Sequence, residues 1–155
     1  MRYVLLDRIT ALEPPTRAAG IKCVSLSDDV FTDHFPGLPV MPGALLLESL
    51  AQLGGVLLEA TMREQGKPEL LAILRTVERA KFRRAVRPGD RLELEVTALR
   101  ISDLGGQVQG HATVEGRRVI EAELSFALAP VHEPAVVAQR RALLAVWLAR
   151  PPEEP

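Results

Sequence analysis

Cysteine occurs once in this chain, at Cys23, which excludes an intramolecular disulfide and any cysteine-rich metal cluster. A lone thiol suits a reducing, cytoplasmic compartment. Aromatic residues make up only 4% of the 155 residues, and the 19 Lys and Arg are matched by 20 Asp and Glu. Nucleic-acid binding draws on a basic surface and often on stacking aromatics, so this composition speaks against it. The first residues, MRYVLLDRIT, interrupt their apolar run at Asp7 and Arg8 and predict no signal peptide. The longest apolar stretch, residues 44–60, contains Glu48, Gln52 and Glu59 and falls short of the ~20 residues a membrane span needs. A charge near the centre of a span costs about 2.5–3.5 kcal/mol, so no membrane segment is expected.

What remains is an ordinary globular composition, with 47% hydrophobic and 25% charged residues. Residues 3–12 and 21–26 read as strands, separated by a loop marked by Pro14, Pro15 and Gly20. A Pro/Gly-punctuated loop over 32–42 leads into a helix over 44–65, opened at Pro42-Gly43 and closed by Gly66 and Pro68. Its first four turns are apolar almost all round, with Leu45, Leu46, Leu47, Leu50, Leu53, Val56, Leu57 and Leu58, so it should be enclosed on several sides. Residues 70–78 read as a strand, and RLELEVT, QVQGHATVEG and VIEAELSFAL then alternate, with hairpin turns expected at Gly105-Gly106 and Glu115-Gly116. The pattern is α+β, an antiparallel sheet of five or six strands wrapped around one long helix. A second helix over 134–150 would dock on the domain or on a partner subunit, and the tail PPEEP is expected to be disordered.

The candidate chemistry centres on Glu48. A carboxyl group in an apolar setting keeps its proton more readily and can act as a general acid. Gln52 lies one turn on, where it can orient that carboxyl group. The helix start at Gly43 offers unpaired N–H groups for an enolate oxygen, and glycine there admits a close approach. His34 supplies a base that can be neutral near pH 7. A base, an acid and an oxyanion site together suit proton abstraction α to a carbonyl with loss of a β-hydroxyl. Ser49 has no neighbouring base or nucleophile-elbow pattern, and His111 and His132 read as structural or exposed. No metal, nucleotide or organic cofactor is implied.

The segment His34-Phe35-Pro36-Gly37, then Pro42-Gly43, then LLLESLAQLGG, closely resembles the β-hydroxyacyl-acyl carrier protein dehydratases of fatty acid synthesis. The resemblance extends to LLDRI near the start, to AKFRRAVRPGDRLELEV, and on to about Leu128. It implies a hot dog fold over residues 1–130, with residues 131–155 a C-terminal helix and tail outside it. It implies His34 as the catalytic histidine, Glu48 as the acid, Gly43 as the amide that meets the thioester carbonyl, and Gln52 as support for the acid. It further implies a cytoplasmic homodimer whose sites combine the histidine and acid of different subunits, with a trimer of dimers open to it. The substrate would be an acyl carrier protein or coenzyme A thioester. A thioesterase on the same fold, with Glu48 activating water, and a non-catalytic acyl-binding subunit are the alternative readings.

Two positions depart from the family pattern. Asp33 stands where relatives carry glycine, and a carboxylate there could act on His34 unless the two side chains diverge. Leu70, Leu71 and Leu74 stand where several relatives carry aromatic residues near the acyl tunnel. The basic cluster Arg79, Lys81, Arg83, Arg84 and Arg87 has two readings: local ion pairs with Glu78 or Asp90, or a dock for an acidic carrier protein and its phosphopantetheine phosphate.

Overall fold

The computed structural model describes residues 1–149. Six strands and two α-helices follow one another as β1 (Arg8–Glu13), β2 (Arg17–Cys23), α1 (Gly43–Glu64), β3 (Leu70–Phe82), β4 (Arg91–Ser102), β5 (Gly105–Val114), β6 (Arg117–Pro130) and α2 (Pro134–Leu148). A 3-10 turn, Asp29–Thr32, precedes the loop that carries His34. The strands form one antiparallel sheet in the order β1-β2-β4-β5-β6-β3. The expected tail, residues 151–155, lies outside the described residues.

The sheet curves around α1 because that helix has almost no polar face to leave in water. Leu50, Leu53, Leu57, Leu58 and Met62 of α1 are buried against Leu92, Val96, Val108, Ile120 and Leu124 of the sheet. The far side of α1 is covered within the same chain. Residues 3–7 run along it, and α2 closes over the end of that segment, where buried Trp147 donates from Nε1 to the Leu6 carbonyl at 2.8 Å. By length and composition α1 could cross a membrane, but 67% of its most apolar window is buried, as befits a core helix.

Several boundaries differ from the sequence expectation, each for a local reason. Residues 3–7 are not in a strand, because Gln52 takes the Leu5 N–H at 2.9 Å and holds the segment to α1 instead. Gly20 sits inside β2, paired with Ile9, and not in the loop. A Cβ there would stand 2.8 Å from the Arg8 carbonyl oxygen, so the glycine permits close strand approach. The β4–β5 turn falls at residues 103–104, and Gly105 and Gly106 open β5. At Gly106 a Cβ would meet Leu58 Cδ2 at 2.7 Å. Glu115 and Gly116 do form the β5–β6 turn, with φ of 49° and 75°, the doubly positive pair a type I′ hairpin needs. β3 runs on to Phe82, with irregular pairing at Leu74/Thr76 and Glu78/Lys81, the second beside Arg79 at φ 52°.

β3 is an edge strand, and its exposed residues include the apolar Ile73, Leu74, Val77 and Phe82 among the polar Arg75, Thr76, Glu78, Arg79 and Lys81. The sequence expectation that α1 is enclosed on several sides is met by the sheet, the N-terminal segment and α2.

Gly54 marks a close approach of α1 to the sheet, since a Cβ there would lie 3.0 Å from Val108 Cγ2 and 3.2 Å from Phe126 Cζ. Gly54→Val should therefore destabilise the protein by ~1–3 kcal/mol through overpacking, read as a lowered midpoint in denaturant unfolding.

Candidate active site

His34 lies in the loop just ahead of α1, half-buried, and its backbone is fixed from both sides. Its N–H donates to the Val30 carbonyl at 3.1 Å, and its carbonyl accepts from the Val40 N–H at 3.0 Å. Phe35 and Leu38 exchange both backbone hydrogen bonds across the Pro36-Gly37 turn, and Gly37 takes φ 74° there. The imidazole stacks on the Phe35 ring at 4.0 Å between centroids. Its Nδ1 stands 2.6 Å from the Val40 carbonyl oxygen. A carbonyl can only accept, so Nδ1 carries the proton and Nε2 keeps its lone pair. The loop thus holds the ring as a base with one orientation.

Asp33 is exposed at the end of the 3-10 turn, with αR backbone angles. Among the described residues no hydrogen bond or ion pair joins it to His34.

Glu48 lies in the second turn of α1, half-buried where the apolar sequence around it suggested stronger desolvation. The difference arises because its side chain leaves the helix toward the N-terminal segment, away from the sheet. Gln52 Nε2 donates to Glu48 Oε1 at 3.1 Å and to the Tyr3 carbonyl at 3.2 Å, while Gln52 Oε1 accepts the Leu5 N–H. The Leu5 N–H can only donate, so it fixes which end of the Gln52 amide is oxygen and obliges the NH2 group to face Glu48. Gln52 is therefore joined to Glu48, as the spacing predicts. Tyr3 was not foreseen. Its phenol is raised above its ordinary pKa by partial desolvation, then by the Glu48 charge and a hydrogen bond to that carboxylate.

At the start of α1 the Pro42 carbonyl accepts from Leu45 and Leu46, leaving the Gly43 N–H without a backbone partner among the described residues. The empty side of Gly43 is not open to approach from every direction. A Cβ there would meet Phe82 Cε1 at 2.7 Å, so the Phe82 ring at the end of β3 rests against this glycine. Phe82 gave no polar signal in the sequence and could be placed only once β3 was seen to extend that far. Within one chain, no hydrogen bond among the described residues connects His34 to Glu48 or Gly43.

The basic cluster divides. Arg79 pairs with Glu123 at 2.9 Å and Arg83 with Glu121 at 2.7 Å, across the β3–β6 ladder and not to Glu78 or Asp90 as expected. The Arg83 and Arg118 guanidinium groups pull the Glu121 carboxyl down to about 2. Lys81, Arg84 and Arg87 are exposed and make no side-chain ion pair among the described residues. Ser49 is buried with its hydroxyl bonded back to the Leu45 carbonyl at 3.0 Å, in keeping with no nucleophile role. Among the described residues no cluster of His, Cys, Asp and Glu is arranged to hold a metal.

Residues 1–123 match the model of the FabA-like domain. A 3-hydroxyacyl-[acyl-carrier-protein] dehydratase FabZ of Clostridium acetobutylicum is 43% identical over 123 residues, covering 79% of this chain and 85% of the relative. In fold, the chain is similar to the dehydratase heterocomplex ApeI:P of Xenorhabdus doucetiae, with TM-score 0.69 and 18% identity over 89% of this chain and 90% of that one. It is also similar to a hot-dog-like protein of Thermanaerovibrio acidaminovorans, with TM-score 0.61 and 20% identity over 83% and 90% of the two chains. The sheet wrapped on α1 is accordingly a hot dog fold.

Tyr3 is the only tyrosine, so its ionisation can be followed by absorbance without interference. A carboxylate beside a phenol disfavours phenolate. Tyr3 should titrate above the ordinary value of 10.0, and Glu48→Gln should bring the midpoint down.

Proposed function

The chain belongs to the FabA-like domain family, and on that footing we propose that it is a 3-hydroxyacyl-[acyl-carrier-protein] dehydratase of fatty acid biosynthesis, working as a cytoplasmic homodimer through His34 and Glu48. It removes water from a (3R)-hydroxyacyl thioester to give the trans-2-enoyl thioester. The observation that carries this reading is the fixed Nδ1–H of His34, which leaves Nε2 as a base. Residues 1–130 form the catalytic domain, and α2 is an addition to it.

In this mechanism His34 Nε2 removes the α-proton as the thioester carbonyl oxygen takes up negative charge. The free Gly43 N–H, at the positive end of α1, stabilises that oxygen. Glu48 donates a proton to the departing β-hydroxyl, so that water leaves as a neutral molecule. Gln52 donates to Oε1 of Glu48 and so orients the carboxyl group that delivers the proton. The proton gained by His34 and the proton lost by Glu48 balance, and no redox partner is required.

Two features of the single chain support the homodimer: among the described residues no hydrogen bond joins His34 to Glu48 within it, and exposed Ile73, Leu74 and Val77 lie on the unpaired edge strand β3. Exposed, hydrophobic edges invite pairing with another strand. Pairing β3 with its symmetry mate would cover Ile73, Leu74 and Val77 and bring the His34 loop of one subunit toward Glu48 of the other. A trimer of dimers remains compatible with that pairing. Lys81, Arg84 and Arg87, left without acidic partners at the same end of β3, suit the acidic surface and phosphate of a carrier-bound substrate, while Arg83 is engaged with Glu121.

Incubation with 3-hydroxyacyl and trans-2-enoyl thioesters should interconvert the two, seen in double-bond absorbance, without release of free thiol. His34→Ala and Glu48→Gln should each lower kcat by about 10²–10⁴ while the dimer persists in size-exclusion chromatography. Thiol release without interconversion would establish a thioesterase instead.

A further inference from the structure

A cavity of about 270 Å³ lies between the second half of α1, the start of β3 and α2. Its apolar wall includes Val56, Leu71, Leu144 and Trp147, and Glu59 with Arg140 forms its polar part. Glu59 is 6% exposed. Its Oε1 accepts the Ala72 N–H at 3.0 Å and faces Arg140 Nη2 at 3.0 Å. Its Oε2 accepts nothing from the described residues, yet none of their fully enclosed polar side-chain atoms lacks a partner. Oε2 therefore meets open space, and the space that Glu59 lines is this cavity. A buried carboxylate oxygen facing an apolar hollow is costly unless something donates to it.

The hollow is separate from the reaction centre. Glu59 lies eleven residues beyond Glu48 on the same helix face, roughly 16 Å along α1. Between them the N-terminal segment is fastened to Gln52 through Leu5 and to Trp147 through Leu6.

We propose that this cavity is a second ligand site, taking a free medium-chain fatty acid with its chain along the apolar wall and its carboxyl group between Glu59 Oε2 and Arg140. The volume falls just under the ~300 Å³ of ordinary small-molecule pockets, which fits one slender chain and not a ring-bearing cofactor. The charges suit an acid. Arg63 and Arg141 also line the site, so its lining carries three arginines against two carboxylates, Glu59 and Glu69. A fatty acid carboxyl accepts from Arg140, and a single proton shared with Glu59 completes the second oxygen. Burial pushes the Glu59 carboxyl upward, against the opposing pull of Arg140, the Ala72 N–H and Arg63.

Trp147 is the only tryptophan, so the site carries its own reporter. Full-length protein titrated with decanoic acid should show a saturable change in tryptophan fluorescence, with decanol binding at least about tenfold more weakly. Ala145→Phe, which fills the cavity from an exposed position, and Arg140→Met should each weaken decanoic acid binding by about tenfold or more. Far-ultraviolet dichroism checks that both variants remain folded. No saturable change in the wild-type protein, equal binding of decanol, or undiminished binding in folded Ala145→Phe would each overturn the proposal. The readout is binding and not turnover, so its outcome is independent of the dehydratase reading.

Discussion

Everything in this structure follows from the need to bury α1 on both sides. A 22-residue helix with Leu50, Leu53, Leu57 and Leu58 inside has no stable place at a surface. The sheet supplies one cover and must curve to do so, with Gly54, Gly106 and Gly110 removing side chains where strand and helix come closest. The N-terminal segment and α2 supply the other. Polar groups on α1 are then tolerated where its coverings leave room or bring partners, as at Glu48, Gln52 and Glu59, or where a hydroxyl bonds back to the helix, as at Ser49 and Thr61.

The cover on the far side also sets the chemistry. Leu5 cannot pair its N–H in a strand while it lies along α1, so it pairs with Gln52. That one backbone donor determines the orientation of the amide, and the amide determines which oxygen of Glu48 is held. The same logic acts on His34, where the Val40 carbonyl selects the tautomer. In both cases a backbone group of fixed polarity presets a side chain, and for the proposed reaction that is the preorganisation that catalysis by proton transfer needs.

Much of this was legible in the sequence, and the limits have physical causes. The long helix, the alternating strands and the pair Glu48–Gln52 rest on local periodicity, which a single chain displays directly. The joining of the N-terminal segment to Gln52 did not, because a strand-like run such as YVLL does not state whether its N–H groups meet a strand or a side chain. Gly20 and Gly106 read as turns because close backbone approach between distant elements leaves the same signature as a turn. The charge on Glu59 looked like a mere interruption of an apolar run until Arg140, 81 positions away, came to face it. Long-range pairing of charges has no local period to announce it.

The central claim is that a working site is completed across two subunits, with His34 from one and Glu48 from the other. The direct measurement is activity on mixing inactive His34→Ala protein with inactive Glu48→Gln protein under conditions that exchange subunits. In a mixed dimer one site carries both substitutions and the other carries neither. Statistical mixing should restore about a quarter of the wild-type activity, since half of the dimers are mixed and each has one intact site. Activity that stays at the level of the separate variants, with exchange verified, would place His34 and Glu48 in the same subunit's site and contradict the account.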